Sequence, residues 1–186
     1  TEDNKTGNDK PNDAKAISLG TQVYDTVATE LEQRWYAFSV AKATKFTAAM
    51  VMDDTADFDL YVYKLNETDG TLELVGGSAI VGAGTQELSM LKLDEGIYFI
   101  GIEAATGNGS FLMYTYAGVN DGKEINDTTD LASSYVRNSR MTATIDSPFD
   151  YDYYKVVISK NDILEYTFDQ PTGCDYKVLV YDGKNY

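Results

Sequence analysis

From Val23 onward the chain runs in short stretches where apolar and polar residues alternate, separated by clusters of Gly, Asp, Asn and Thr. The stretches 23–28, 35–40, 46–52, 58–63, 87–93, 97–103 and 110–116 each read as a strand, because period-two alternation matches the pleat. Seven short strands at this spacing predict an antiparallel β-sandwich. In the run WYAFSV at 35–40, Tyr36, Phe38 and Val40 share one face, and Trp35, Ala37 and Ser39 share the other. The first set is the expected core face. Residues 1–13 are polar and show no apolar period, so they read as a flexible lead.

After Ala117 the pattern repeats. Advancing by 118 residues lays Trp35–Lys42 on Tyr153–Lys160 and Asp57–Tyr63 on Asp175–Tyr181 without a gap, and sets Phe46, Ala48 and Met50 on Leu164, Tyr166 and Phe168. A shared inward period over three strands predicts a tandem duplication. The expected fold is therefore all-β, an antiparallel jelly-roll-like sandwich in two tandem copies. The first spans 14–117, a linker 118–123 follows, and the second, at 124–186, is truncated. A half sandwich leaves apolar faces and strand edges open, so further domains of a longer chain, or a partner strand, are expected to complete it.

Composition removes whole classes of function. There is no histidine, which excludes Ser-His-Asp and Cys-His catalysis and the common zinc sites. Thirty acidic residues against fifteen basic ones give a net charge of −15, the wrong sign for nucleic acid. No apolar run is long enough to insert into a membrane. The single cysteine, Cys174, has no internal disulfide partner. What remains is carboxylate chemistry, a Ser-Lys arrangement or coordination of a cation by oxygen. Ser39 with Lys42 and Ser159 with Lys160 lie at strand ends, where they read as turn residues. The dense group Asp53, Asp54, Asp57 and Asp59 reads as a solvated turn before a strand.

The stretches KPNDAKAI from Lys10, DFDLYVY from Asp57 and EGIYFIGI from Glu95 have partners in KEINDTTDLA from Lys123, DYDYYKV from Asp150 and DYKVLVY from Asp175. In order and spacing this set resembles the bacterial pre-peptidase C-terminal domain family, including the calcium-dependent collagen-binding domains of clostridial collagenases. The resemblance covers 8–117 and again 122–186. It implies a Ca2+ site in the second copy built from Glu124, Asn126, Asp127, Asp150 and Asp152, where two distant segments supply hard oxygen ligands. It implies none in the first copy, where Lys10 replaces the opening acid and Arg34 stands at the position of Asp152.

The expected function is a non-catalytic accessory module of a secreted or surface-attached bacterial protein, adhering to an extracellular protein or glycan or supporting an attached catalytic domain. Glu103 stands where collagen-binding relatives tend to offer an aromatic residue, which weighs against collagen. A purely structural stalk and a fragment of a carboxylate-using secreted hydrolase are the alternatives.

Overall fold

The computed structural model describes residues 7–118 and 122–182. The expected lead begins outside them, and the expected linker lies partly outside, at 119–121. The described residues form two compact units, divided between Lys155 and Val156.

The first unit holds two stacked sheets. The strands are β1 (Lys15–Ala16), β2 (Gln22–Val27), β3 (Gln33–Val40), β4 (Thr44–Met52), β5 (Asp57–Leu65), β6 (Leu72–Ser78), β7 (Glu87–Leu93), β8 (Gly96–Thr106) and β9 (Gly109–Gly118). One sheet has the order β1-β3-β8-β5-β6 and the other β2-β9-β4-β7. Every pairing in them is antiparallel except that of β1 with β3. No α-helix occurs among the described residues. All seven expected strands are present, with ends moved by a few residues. β1 and β6 were not anticipated, since Lys15–Ala16 is too short to show a period and β6 carries two glycines in LELVGGS.

Tyr36, Phe38 and Val40 face the core as expected. Phe38 stacks on Phe46 across the two sheets, with ring centroids 4.9 Å apart. Phe111 meets Tyr36 and Phe58 edge-on. Burying each such ring contributes roughly 1.5–3 kcal/mol. Trp35, on the opposite face of β3, is also buried. Gly101 of β8 pairs with Trp35, and a Cβ there would stand 3.0 Å from the indole ring, so the missing side chain is what lets Trp35 lie flat on the sheet.

β4 is buried on both faces from Lys45 to Met50. Phe46, Ala48 and Met50 enter the core, and Lys45, Thr47 and Ala49 face outward yet are covered. Part of that cover is visible in Phe149, whose ring sits edge-on to Tyr116 of β9, the residue paired with Thr47.

After β9 the described residues form only β10 (Ser133–Ser134) and β11 (Tyr154–Lys155), a parallel pair. Backbone bonds of the first copy return here at the interval of 118. Ser133 and Ser134 pair with Tyr154 and Lys155 as Lys15 and Ala16 pair with Tyr36 and Ala37. Tyr135 N donates to Lys155 O as Ile17 N donates to Ala37 O. Tyr153 N donates to Asn126 O as Trp35 N donates to Asn8 O.

The second unit differs from expectation. Strands expected through Ile158, around Leu164–Phe168 and at 175–181 are not formed, and no strand occurs at 156–182. The first-copy counterparts β4 and β5 hold their shape by pairing with β6, β7, β8 and β9. Among the described residues no strand pairs with 156–182. Local turns take some of the backbone N–H groups there, as in Asp162 N donating to Ser159 O, and Ile163, Tyr166 and Leu179 are exposed. One local feature does recur: Cys174 N donates to Pro171 O as Ala56 N donates to Asp53 O.

Candidate metal centre

Two segments converge against the outward face of β4. The first, around residues 124–127, is fixed by Asn126, which is fully buried. Its backbone oxygen accepts the Tyr153 N–H at 2.8 Å, and its amide donates to Tyr153 O at 3.4 Å. Asn8 clamps Trp35 in the same way, at 2.8 and 3.2 Å. This corrects the pairing of the opening segments. Asn8-Asp9, not Asn12-Asp13, corresponds to Asn126-Asp127, because the side chain that clamps the aromatic strand belongs to Asn8. Lys10 therefore does not stand in the place of Glu124; position 6 does, and it lies outside the described residues.

The second segment is the turn from Asp146 to Asp152. Asp150 N donates to Ser147 O, and Phe149 N donates to Ser147 Oγ. Asp150 Oδ2 closes the turn by accepting the Asp146 N–H at 2.6 Å. Asp152 follows at the mouth of β11 and accepts the Tyr154 hydroxyl at 2.9 Å. Two acids one residue apart before an aromatic strand thus have different roles: Asp150 ties its turn from a buried position, and Asp152 stands half-buried beside it.

Single ligand oxygens of Glu124, Asp150 and Asp152 lie within 4.8 Å of one another. Asp127 joins them through a shared cation, the Lys45 ammonium. Lys45 Nζ is 2.8 Å from Asp150 Oδ1, 2.9 Å from Asp127 Oδ1, 3.3 Å from Glu124 Oε2 and 3.9 Å from Asp146 Oδ1. Asn126 hydrogen-bonds the Asp152 carboxylate. Asp146 packs against Gly118, where a Cβ would collide with its Oδ2.

Charge does not balance in this pocket. Glu124, Asp127, Asp146, Asp150 and Asp152 present five carboxyl groups to one ammonium. Burial, with the neighbouring acids, pushes Glu124 up to about 7 and Asp146 up to about 6 even against the pull of Lys45. Burial likewise raises Asp127 and Asp152. For Lys45 burial alone would favour the neutral amine, but the hydrogen bonds to Asp150 and Asp127 outweigh it and hold the ammonium charged. Asn126 Oδ1, Asp127 Oδ2 and both oxygens of Asp146 are buried without a hydrogen-bond donor, and Glu124 Oε2 has the Lys45 ammonium at 3.3 Å. Unpaired buried oxygens of this kind are costly. An all-oxygen, anionic and donor-poor set is what a hard divalent cation takes, so the residues fit Ca2+.

At the interval of 118, beside Trp35, the same problem is solved by a side chain. Arg34 stands at the place of Asp152, and its Nη1 lies 3.0 Å from Oε1 of Glu32, the counterpart of Asp150. Its Nε lies 3.9 Å from Asp25 Oδ1. The dense acids of the β4–β5 turn do not converge. Asp53 accepts the Ser110 N–H, Asp57 the Gly82 N–H and Asp59 the Tyr61 hydroxyl.

The residues expected from the sequence, Glu124, Asn126, Asp127, Asp150 and Asp152, meet in the pocket. Asp146 and Lys45 were not among them. The Asp-Ser-Pro turn at 146–148 was the available signal for Asp146. Nothing in a single strand signals that the outward Lys45 is covered, and Ile163 stands at its counterpart position.

No protein-family model and no curated protein sequence matches the chain. Solved structures do. The pre-peptidase C-terminal domain of a Bacillus anthracis collagenase is similar at 16% identity, over 58% of this chain and 99% of that one, with a TM-score of 0.48. That domain belongs to the family whose motifs the sequence resembles. A periplasmic inhibitor of g-type lysozyme from Aeromonas hydrophila is similar at 13% identity, over 56% and 95%, with a TM-score of 0.42. A β-1,3-glucan-binding module of family 6 from Bacillus halodurans is similar at 9% identity, over 56% and 98%, with a TM-score of 0.34.

Proposed function

We propose that this chain is a tandem module of the pre-peptidase C-terminal type, non-catalytic, secreted or displayed on a bacterial surface, whose second copy is stabilised by Ca2+. The observation that carries the reading is the convergence of Glu124, Asp150 and Asp152 oxygens beside buried oxygens of Asn126, Asp127 and Asp146 that have no hydrogen-bond donor. Glu124, Asn126, Asp127, Asp150 and Asp152 would hold the ion. When bound, it supplies the positive charge that one ammonium leaves short, which ties the 124–127 segment to the turn before β11. The duplication is supported by the recurrence of the Asn clamp and the parallel strand pair.

A binding role finds its support on the outer face of the five-stranded sheet. The register aligns Trp35, Gly101 and Tyr61 in one row and Ala37, Phe99 and Tyr63 in the next. Trp35 and Tyr63 rings pack at 5.3 Å. Gln33, Glu103 and Asp59 border them, with Gln33 Nε2 donating to Glu103 at 2.6 Å. Trp35 itself is buried, and the half-buried Tyr61, Tyr63 and Phe99 beside acids and amides offer stacking area and hydrogen bonds to a glycan or a peptide.

Thermal melting with and without millimolar Ca2+ tests the metal half of the proposal. Ca2+ is expected to raise the melting temperature of the wild type by several degrees, following mass action, and not that of Asp152→Ala. Identical melts in all four conditions refute it. Glycan and matrix-protein arrays test the binding half: retention lost in Tyr61→Ala supports a ligand face, and no retention on any surface returns the chain to a structural stalk.

A further inference from the structure

Lys45 is anomalous among the residues of the cradle, because it comes from the first copy whereas all its carboxylate partners come from 124–150. We propose that Lys45 is an exchangeable tether: its ammonium holds the 122–155 segment on the outward face of β4, and a divalent cation entering the cradle displaces it. The proposal rests on the cradle being a cation site, and adds to that reading a competitor built into the chain.

Asp150 is the group over which the two cations compete. Its Oδ1 accepts from Lys45 and its Oδ2 from the Asp146 N–H, so a metal on Oδ1 would have to share that oxygen with the ammonium. Glu124 is the second shared group, with Oε2 at 3.3 Å from Nζ. Of the three carboxylates that converge, two are therefore engaged by the ammonium. A divalent ion drawing on the same oxygens would stand within a few Å of Nζ in a water-poor pocket, where like charges repel strongly. The doubly charged ion satisfies more of the five acids than the ammonium does, and it is the ammonium, on a flexible stem, that can leave for water.

The consequence reaches beyond the pocket. Other ties across this face include the edge-on contact of Phe149 with Tyr116, at 6.1 Å, and the packing of Asp146 against Gly118. Losing the ammonium removes the ionic part of the attachment while the ion stiffens the second copy internally. The first copy needs no such partner, since Arg34 neutralises Glu32 in place.

Lysine reactivity in the unmodified protein is the direct probe. Reductive methylation followed by mass spectrometry should find Lys45 protected in chelator, and at least tenfold more reactive in millimolar Ca2+, with the exposed Lys42 unchanged as reference. Calorimetric titration of Ca2+ into Lys45→Met should show at least tenfold tighter binding than into the wild type. If Ca2+ binds the wild type while Lys45 stays protected, the tether is overturned and the cation site stands. A folded Lys45→Met that binds Ca2+ with unchanged affinity overturns the tether equally. If Ca2+ binds neither protein, both readings fall. Should Lys45→Met fold only with Ca2+ present, the labelling result alone decides.

Discussion

Arg34 and Lys45 are basic residues buried to near completion, and each survives there because carboxylates surround it. For Arg34 the balance is local. Burial would raise Glu32, but Arg34 and the N–H groups of Ala28 and Thr29 outweigh it and hold the carboxyl below its ordinary range. Asp25 is lowered similarly, burial being outweighed by Tyr36, the Thr26 N–H and Lys15. A carboxyl depressed in the fold contributes stability above its unfolded value, near 4, and loses that contribution as pH falls through the folded value. Glu32→Gln is therefore expected to lower the melting temperature at pH 6, by roughly 1–3 kcal/mol of stability as Arg34 loses its partner. The gap to the wild type should narrow towards pH 3. A gap that stays constant across this range would show that the Glu32 charge does not stabilise the fold.

At the scale of the element, β3 and β8 show what a strand sequence reveals. The alternation in WYAFSV placed Tyr36, Phe38 and Val40 in the core, because that face meets another sheet. It did not reveal that Trp35 would be buried too, since that depends on Gly101 across the ladder and Tyr63 beyond it. Gly101→Ala inserts a methyl where the indole lies, and overpacking of this sort costs typically ~1–3 kcal/mol. A lower melting temperature with a shifted Trp35 fluorescence maximum is the expected result. An unchanged emission spectrum would mean that the ring does not lie on residue 101. The same limit applied to Lys45, where strand periodicity gave the face but not what covers it. Glu124, Asn126, Asp127, Asp150 and Asp152 were legible through the family resemblance of KEINDTTDLA and DYDYYKV, since neither segment alone shows that the two meet. Their meeting, however, depends on Asn126 gripping Tyr153 across 27 positions.

For the whole molecule, the repeat was the most informative feature of the sequence and also the source of its largest error. At the interval of 118 the structure repeats backbone hydrogen bonds of Asn8, β1 and β3 around Asn126, β10 and β11, a recurrence that the sequence reading missed by setting Lys10 against Glu124. The same interval implied strands at 156–182 that are not formed, because a strand needs its ladder partners as well as its own pattern. The regions around Trp35 and Tyr153 each hold a pocket in need of positive charge. Arg34 meets that need in the first, whereas Lys45 meets only part of it in the second. The most direct test is anomalous scattering from crystals grown with terbium as a Ca2+ substitute. One strong peak bounded by Glu124, Asp150 and Asp152 is expected, and none beside Arg34. A map without a peak in the second pocket, with Lys45 still seated on Asp127 and Asp150, would contradict the Ca2+ site.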